Sequence, residues 1–272
     1  MVNKKQLPPE EPSELESTYF EVQAYFGVTK HMGGLKATRE LIELCRINKD
    51  KYVLVIGCGV GITPCYLAEK HGCRVVGIDI SEGMVEKSKE RAKRKGVEDR
   101  TEFRVADAQN LPFGDNFFDA VICESVNAFI PDKQKAANEY MRVIKPGGYV
   151  GFNECTWIKT APPELAKYLS RIMGAEFPPH DNGWKELLEG AGLEDIVART
   201  YRATILGQWI NEVRQIEFLA FLRAWYRFLI LLIKSPACRR FTKETLAMPR
   251  SIFSLFKYFG YGIYAGGKSI KS

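Results

Sequence analysis

From residue 51 to residue 154, apolar runs of strand length alternate with amphipathic stretches of helix length. The runs lie near 51–56, 74–79, 101–105, 118–123 and 148–154, and the intervals 62–70, 82–95 and 132–143 carry apolar side chains at helical spacing. Strands alternating with helices of about this length imply a parallel sheet covered on both faces. Gly72 and Gly96 stand where helix C-caps belong. Upstream, residues 19–30 read as a short aromatic helix before the turn His31-Met32-Gly33-Gly34, and Leu35 to Cys45 as a helix with Leu41, Ile42 and Cys45 on one face. Downstream, Pro163 to Met173 and Asn182 to Ala191 read as helices and Leu193 to Tyr201 as a strand. Residues 203–257 then look wholly helical before strand character returns over 258–266.

The first strand runs straight into Gly57-Cys58-Gly59-Val60-Gly61, and the second ends on Asp79. Glycines let the backbone turn tightly and approach a ligand closely. The helix that follows points free N–H groups at the same spot. An acid at the end of the second strand can accept both hydroxyl protons of a ribose, so the segment has the outline of a β-α-β nucleotide-binding unit. A dinucleotide fingerprint would need its third glycine at position 62, which is Ile62; the third glycine here is Gly61, and the dinucleotide reading fails.

The G-x-G-x-G segment resembles motif I of the class I S-adenosylmethionine (SAM) methyltransferases, and four more blocks follow in the family's order. Gly77 to Ser81, with Met84 opening the next helix, is similar to the second motif; Ala106 to Phe113 is similar to the adenine-binding loop. Phe117 to Glu124 resembles the fourth strand, and Arg142 to Gly148 the turn into the fifth. The resemblance implies an α/β fold: a doubly wound seven-stranded sheet, mostly parallel with an antiparallel last strand. It divides the chain into a lead-in at 1–16, a core at 17–202 plus 258–268, and a helical lid at 203–257 inserted before the last strand.

The same resemblance implies SAM as cofactor and S-adenosylhomocysteine as product, with no metal. Gly57, Cys58, Gly59 and Gly61 would lie under the methionine part, Asp79 on the ribose hydroxyls, Ile80 and Met84 against the adenine, and Asp107 with the Ala108 backbone at its edge. One departure stands out. The family usually carries an acid at the position of Val55, where it helps to hold the SAM ammonium group, and Glu124 at the end of the fourth strand is expected to compensate in part. The family often closes over SAM near the position of His31 and Gly33. Adjacent glycines there allow the backbone close to a carboxylate, and His31 could donate a hydrogen bond or act as a base near neutral pH; a plain helix-entry turn is the other reading. Glu154 ends the fifth strand on the ligand-binding rim of such sheets. A carboxylate at that place either orients or deprotonates a nucleophile, or caps a neighbouring loop. Methyl transfer asks little of side chains beyond bringing nucleophile, methyl carbon and sulfur into line.

Composition, with 46% apolar and 26% charged residues in 272, suits one large globular domain or a domain with an insertion. Met1 to Glu16 carries three prolines and four glutamates and no apolar h-region, which predicts a disordered lead-in without a secretory signal. Seven cysteines with no C-x-x-C pair predict reduced, buried thiols in a cytoplasmic protein and no zinc site. The net charge of +6 hides an asymmetry: residues 201–272 hold twelve Lys and Arg against three Glu, a local +9 that leaves −3 for the rest. Within this basic quarter, Ile216 to Ile233 is broadly apolar around a stripe of Glu217, Ala220, Arg223, Ala224, Arg227 and Lys234. Three charges inside an 18-residue run argue against a membrane span. Two readings stay open: a cap helix roofing an acceptor pocket, or an interfacial helix making peripheral membrane contact through 216–243. Both imply a small-molecule or lipid-like acceptor, and neither calls for nucleic acid. The family group nearest in flavour methylates quinones, sterols and phosphoethanolamine. Another SAM-using enzyme on the same fold, or a non-catalytic binding protein, remains the alternative; the oligomeric state is open.

Overall fold

The computed structural model describes residues 31–178, 182–203 and 255–270, with eleven positions between 226 and 243. The expected lead-in at 1–16, the helix at 19–30 and most of the lid at 203–257 lie outside the described residues. Helix α1 (Gly34–Leu44) precedes β1 (Tyr52–Ile56), α2 (Ile62–Tyr66), β2 (Arg74–Asp79), α3 (Glu82–Lys95), β3 (Thr101–Val105) and β4 (Phe118–Glu124). Then follow α4 (Lys133–Val143), β5 (Ile144–Trp157), α5 (Pro163–Met173), α6 (Gly183–Gly190), β6 (Glu194–Arg202), α7 (Leu255–Tyr258) and β7 (Phe259–Gly267). The seven strands stand in the order β3-β2-β1-β4-β5-β7-β6. Pairings from β3 through to β5 are parallel, and β7 runs antiparallel to both β5 and β6. This is the expected doubly wound sheet with its last strand reversed.

Alternate residues of each central strand feed two cores, as the pleat requires. Val53, Val55, Ala120 and Ile122 pack with Ala37 and Leu41 of α1 and Val85 and Ala92 of α3. Leu54, Ile56, Val121 and Cys123 face the other way, against Ala136 and Tyr140 of α4 and Trp184 and Leu188 of α6. All seven cysteines are free and buried. Among the described residues no helix is long and apolar enough to cross a membrane.

Local chemistry sets the helix ends. Ser81 caps α3 by accepting the Met84 N–H, Lys93, Arg94 and Lys95 fill its last turn, and Gly96 closes it at φ +62°. Two elements depart from the expected pattern. The helix predicted over 62–70 widens at its end into a π-turn, Leu67–His71, before Gly72. Strand β5 runs on past Glu154 to Trp157 because β7 pairs with it from Tyr149↔Gly267 to Trp157↔Phe259, a ladder that local apolar pattern does not reveal.

Candidate functional site

The turn after β1 is built on three residues in the left-handed region: Gly57 at φ +61°, Gly59 at +54° and Gly61 at +79°. At Gly57 a Cβ would stand 2.3 Å from a Val126 methyl, and at Gly61 2.9 Å from the Ser88 backbone, so only glycine fits either place. Neighbours fix the turn from several sides. The Cys58 N–H donates to the Ile78 carbonyl at 2.8 Å, the Ser88 hydroxyl to the Gly59 carbonyl at 2.8 Å, and Arg91 Nε to the Val60 carbonyl at 2.7 Å. The Cys58 thiol is buried, which pushes its pKa up to about 12 and keeps it protonated.

Asp79, at the end of β2, joins the second strand to this turn. One carboxylate oxygen accepts the Gly59 N–H at 2.9 Å and the other the Ser81 N–H at 3.0 Å. Burial pushes its carboxyl upward against the pull of those N–H donors. Beside it Ile80 is 78% exposed, a large apolar side chain mostly open to solvent next to a hydrogen-bonding acid. Asp107, exposed, accepts the Gln109 N–H at 2.8 Å, and Ala108 is buried against the core. Met84 is partly buried in the first turn of α3. A Cβ-free cradle, an acid and a bare apolar side chain on successive loop tips fit a nucleoside joined to a charged chain. SAM is such a molecule.

A second cluster gathers at the same end of the sheet. Glu124 accepts the Thr38 hydroxyl at 2.9 Å on Oε1 and the Thr63 hydroxyl at 2.6 Å on Oε2. His31 Nε2 lies 3.0 Å from the Thr38 oxygen and 3.6 Å from Glu124 Oε1. His31 and Glu124, read separately in the sequence, therefore share one network. Val55 pairs with Ile122 on β4, and Glu124 lies on the same face one pleat further along. A carboxylate thus stands one strand away from the position where the family usually carries its acid. Thr38 and Thr63 escaped the sequence reading. Thr63, two residues past the third glycine of the turn, had a positional signal; Thr38, 86 residues from Glu124, had none. Gly33, at φ +80°, has its missing Cβ replaced by Ala37 and the Tyr261 ring, each at 2.7 Å. The turn it belongs to is tied to β5 by Asn153 Nδ2 donating to the Met32 carbonyl at 3.0 Å.

Glu154 stands apart from this cluster. It faces the α4 side of the sheet, wholly buried, and its Oε1 accepts the Val126 and Asn127 N–H groups at 3.0 and 2.9 Å. Of the two roles open to it from sequence, the hydrogen bonds it makes are those of a loop cap. Burial pushes its pKa up to about 8, well above the 4.5 of a free glutamic acid. Between those values the folded chain keeps a proton that the unfolded chain has released. Stability present below pH 4.5 is therefore lost as pH rises through about 8. Replacing Glu154 with Gln should flatten that loss. Unfolding midpoints followed from about pH 5 to about pH 9 should fall less for the variant than for the parent; parallel curves would contradict the assignment.

A family model described as a methyltransferase domain matches residues 54–152, which spans the glycine turn, Asp79, the Asp107 loop and Glu124. Phosphoethanolamine N-methyltransferase 1 of Arabidopsis thaliana is 33% identical over 168 residues, 61% of this chain and 33% of that protein. The chain thus spans about a third of the length of that relative. In fold, it is similar to the [4+2]-cyclase SpnF at a TM-score of 0.76 and 18% identity, over 98% of this chain and 100% of that one. It is also similar to phosphoethanolamine N-methyltransferase 2 of Haemonchus contortus, solved with phosphomonomethylethanolamine and S-adenosylhomocysteine, at a TM-score of 0.72 and 20% identity, over 94% of this chain and 58% of that one. Motif order, sheet topology and matched family model together show that the chain carries a methyltransferase domain over residues 54–152, in a fold shared with SAM-dependent methyltransferases.

Proposed function

We propose that this chain transfers the methyl group of SAM to a small, apolar or lipid-like acceptor and releases S-adenosylhomocysteine. The observation that carries the first half is the joining of Asp79 to the glycine turn through the Gly59 N–H, with Ile80 bare beside it. The turn from Gly57 to Gly61 would hold the methionine part, Asp79 the ribose, Ile80 and Met84 the adenine, and Asp107 with Ala108 its edge. Bound SAM supplies an activated methyl on a sulfonium, so the protein's task is alignment. Glu124, in contact with Thr38 and Thr63, supplies the negative charge beside the SAM ammonium group. His31 joins this network through Thr38, its Nε2 lying 3.0 Å from the Thr38 hydroxyl oxygen. Glu154 supports the loop rather than the reacting atoms.

The acceptor class rests on the segment between β6 and β7. Its described residues are mostly helical, and Tyr226, Leu229 and Ile233 are exposed at the spacing of one helix face. The exposed Arg239 and Lys243 follow, within a quarter of the chain that carries +9. Such a face suits a lid over a greasy chamber and peripheral contact with an anionic membrane. The Arabidopsis relative's name denotes a polar acceptor, phosphoethanolamine, so the two classes must be separated directly. Release of S-adenosylhomocysteine from SAM should be followed with quinols and sterols in anionic vesicles, and with phosphoethanolamine and small amines in solution. Turnover confined to the vesicle-borne acceptors is the expected result; turnover with soluble polar acceptors alone would overturn the acceptor class. A second reading, other chemistry on the same fold, draws on the likeness to the cyclase SpnF. It predicts tight SAM binding without S-adenosylhomocysteine release for any acceptor.

A further inference from the structure

We infer that Glu154 is a positioning residue for the cofactor site: it clamps the strained turn after β4, and through Val126 that turn sets the glycine cradle. The inference rests on reading the Gly57 turn as the SAM cradle and extends it to a residue outside the site. Three observations on one stretch of chain carry it.

The first is strain. Ser125 directly follows Glu124 and adopts φ +57°, a left-handed conformation that a residue other than glycine holds only when its surroundings enforce it. The second is the source of that enforcement, which is the end of β5. The Ser125 N–H donates to the Asn153 carbonyl at 2.7 Å, and the next two N–H groups, of Val126 and Asn127, converge on Glu154 Oε1. Tyr140 steadies the far side, its hydroxyl donating to Asn127 Oδ1 at 3.1 Å. Three successive backbone donors are thus met by two adjacent β5 residues. The third is what the turn presses on. The Val126 side chain occupies the space a Gly57 Cβ would need, so the cradle's first glycine closes down on this loop.

The turn therefore has two outputs. At its start it orients Glu124 towards Thr38 and Thr63; one residue after Ser125 it packs Val126 beneath Gly57. Releasing the Glu154 clamp lets Ser125 relax, and both features of the site move together. The clamp needs an acceptor oxygen at the position of Oε1 and no proton transfer. That requirement separates a positioning role from a catalytic one.

Titration calorimetry with S-adenosylhomocysteine on the full chain tests this. The parent protein must bind first, since a parent that does not bind sinks the cradle reading itself and not the clamp. Given parent binding, Glu154→Ala should weaken affinity by about tenfold, whereas Glu154→Gln, which keeps an oxygen acceptor, should stay within about twofold of the parent. Val126→Ala, which leaves the clamp intact and removes its contact with Gly57, should weaken affinity by about fivefold. If Glu154→Ala does not fold, Val126→Ala and Glu154→Gln decide the matter. Parent-like affinity in Glu154→Ala or in Val126→Ala would overturn the inference, and so would a loss in Glu154→Gln as large as that in Glu154→Ala.

Discussion

Gly57→Val is expected to abolish measurable SAM binding, with a fall in affinity of about a hundredfold or more. Two costs coincide at this position. The backbone sits at φ +61°, where a β-branched residue loses roughly 1–3 kcal/mol. A Cβ there would also lie 2.3 Å from Val126, a side chain held by the loop beneath it. The chain relieves both by moving the turn away from the conformation a cofactor needs, and about 1.4 kcal/mol already means a factor of ten in affinity. Gly114→Ala provides the contrast, because a Cβ at Gly114 meets nothing within 4 Å. That variant should bind SAM as the parent does. Equal binding by parent and Gly57→Val would mean that the turn is not the cradle.

The second large effect belongs to Glu124. Glu124→Ala leaves the buried Thr63 hydroxyl without its acceptor and Thr38 with only the longer bond to the Gly34 carbonyl at 3.5 Å; an unsatisfied buried hydroxyl costs about 1–3 kcal/mol. Stability and SAM affinity should fall together. The family's usual acid position offers a way to restore them, because Val55 lies on the same sheet face one pleat from Glu124. Val55→Asp in the parent puts a second carboxylate beside the first and should destabilise the fold, since like charges at close range disfavour each other. In the Glu124→Ala background the same change restores a single carboxylate and should recover part of the lost affinity. A cycle of the four proteins, read by unfolding midpoint and SAM titration, therefore predicts opposite signs for one substitution in two backgrounds. Equal harm in both would show that Glu124 does not stand in for the missing acid.

Much of the fold was legible because buried parallel strands announce themselves locally. Val53 to Ile56, Val75 to Ile78 and Ala120 to Cys123 are apolar on both faces, and every one became a central strand. The glycine turn and Asp79 were legible for a related reason, since close backbone approach and positive φ leave a residue signature. What the sequence did not reveal depends on pairing across distance. Glu124 could be placed at a strand end, yet its partners Thr38 and Thr63 lie 86 and 61 residues away. Glu154 could be placed on the rim, but which side of the sheet it faced turned on strand parity. Gly151 packs against Leu41 and Cys45 of the α1 side, so Glu154, three residues on, points to the other. That single parity moves it from the network of His31 to the loop of Val126.

These loop tips are proposed to form a SAM site. Titration calorimetry of the full chain with SAM, and in parallel with S-adenosylhomocysteine, tests it most directly. Saturable binding of both at one site per chain is expected, with competition between them and a rise in unfolding midpoint that grows with ligand concentration. No heat, and no stabilisation at about millimolar ligand, would contradict it.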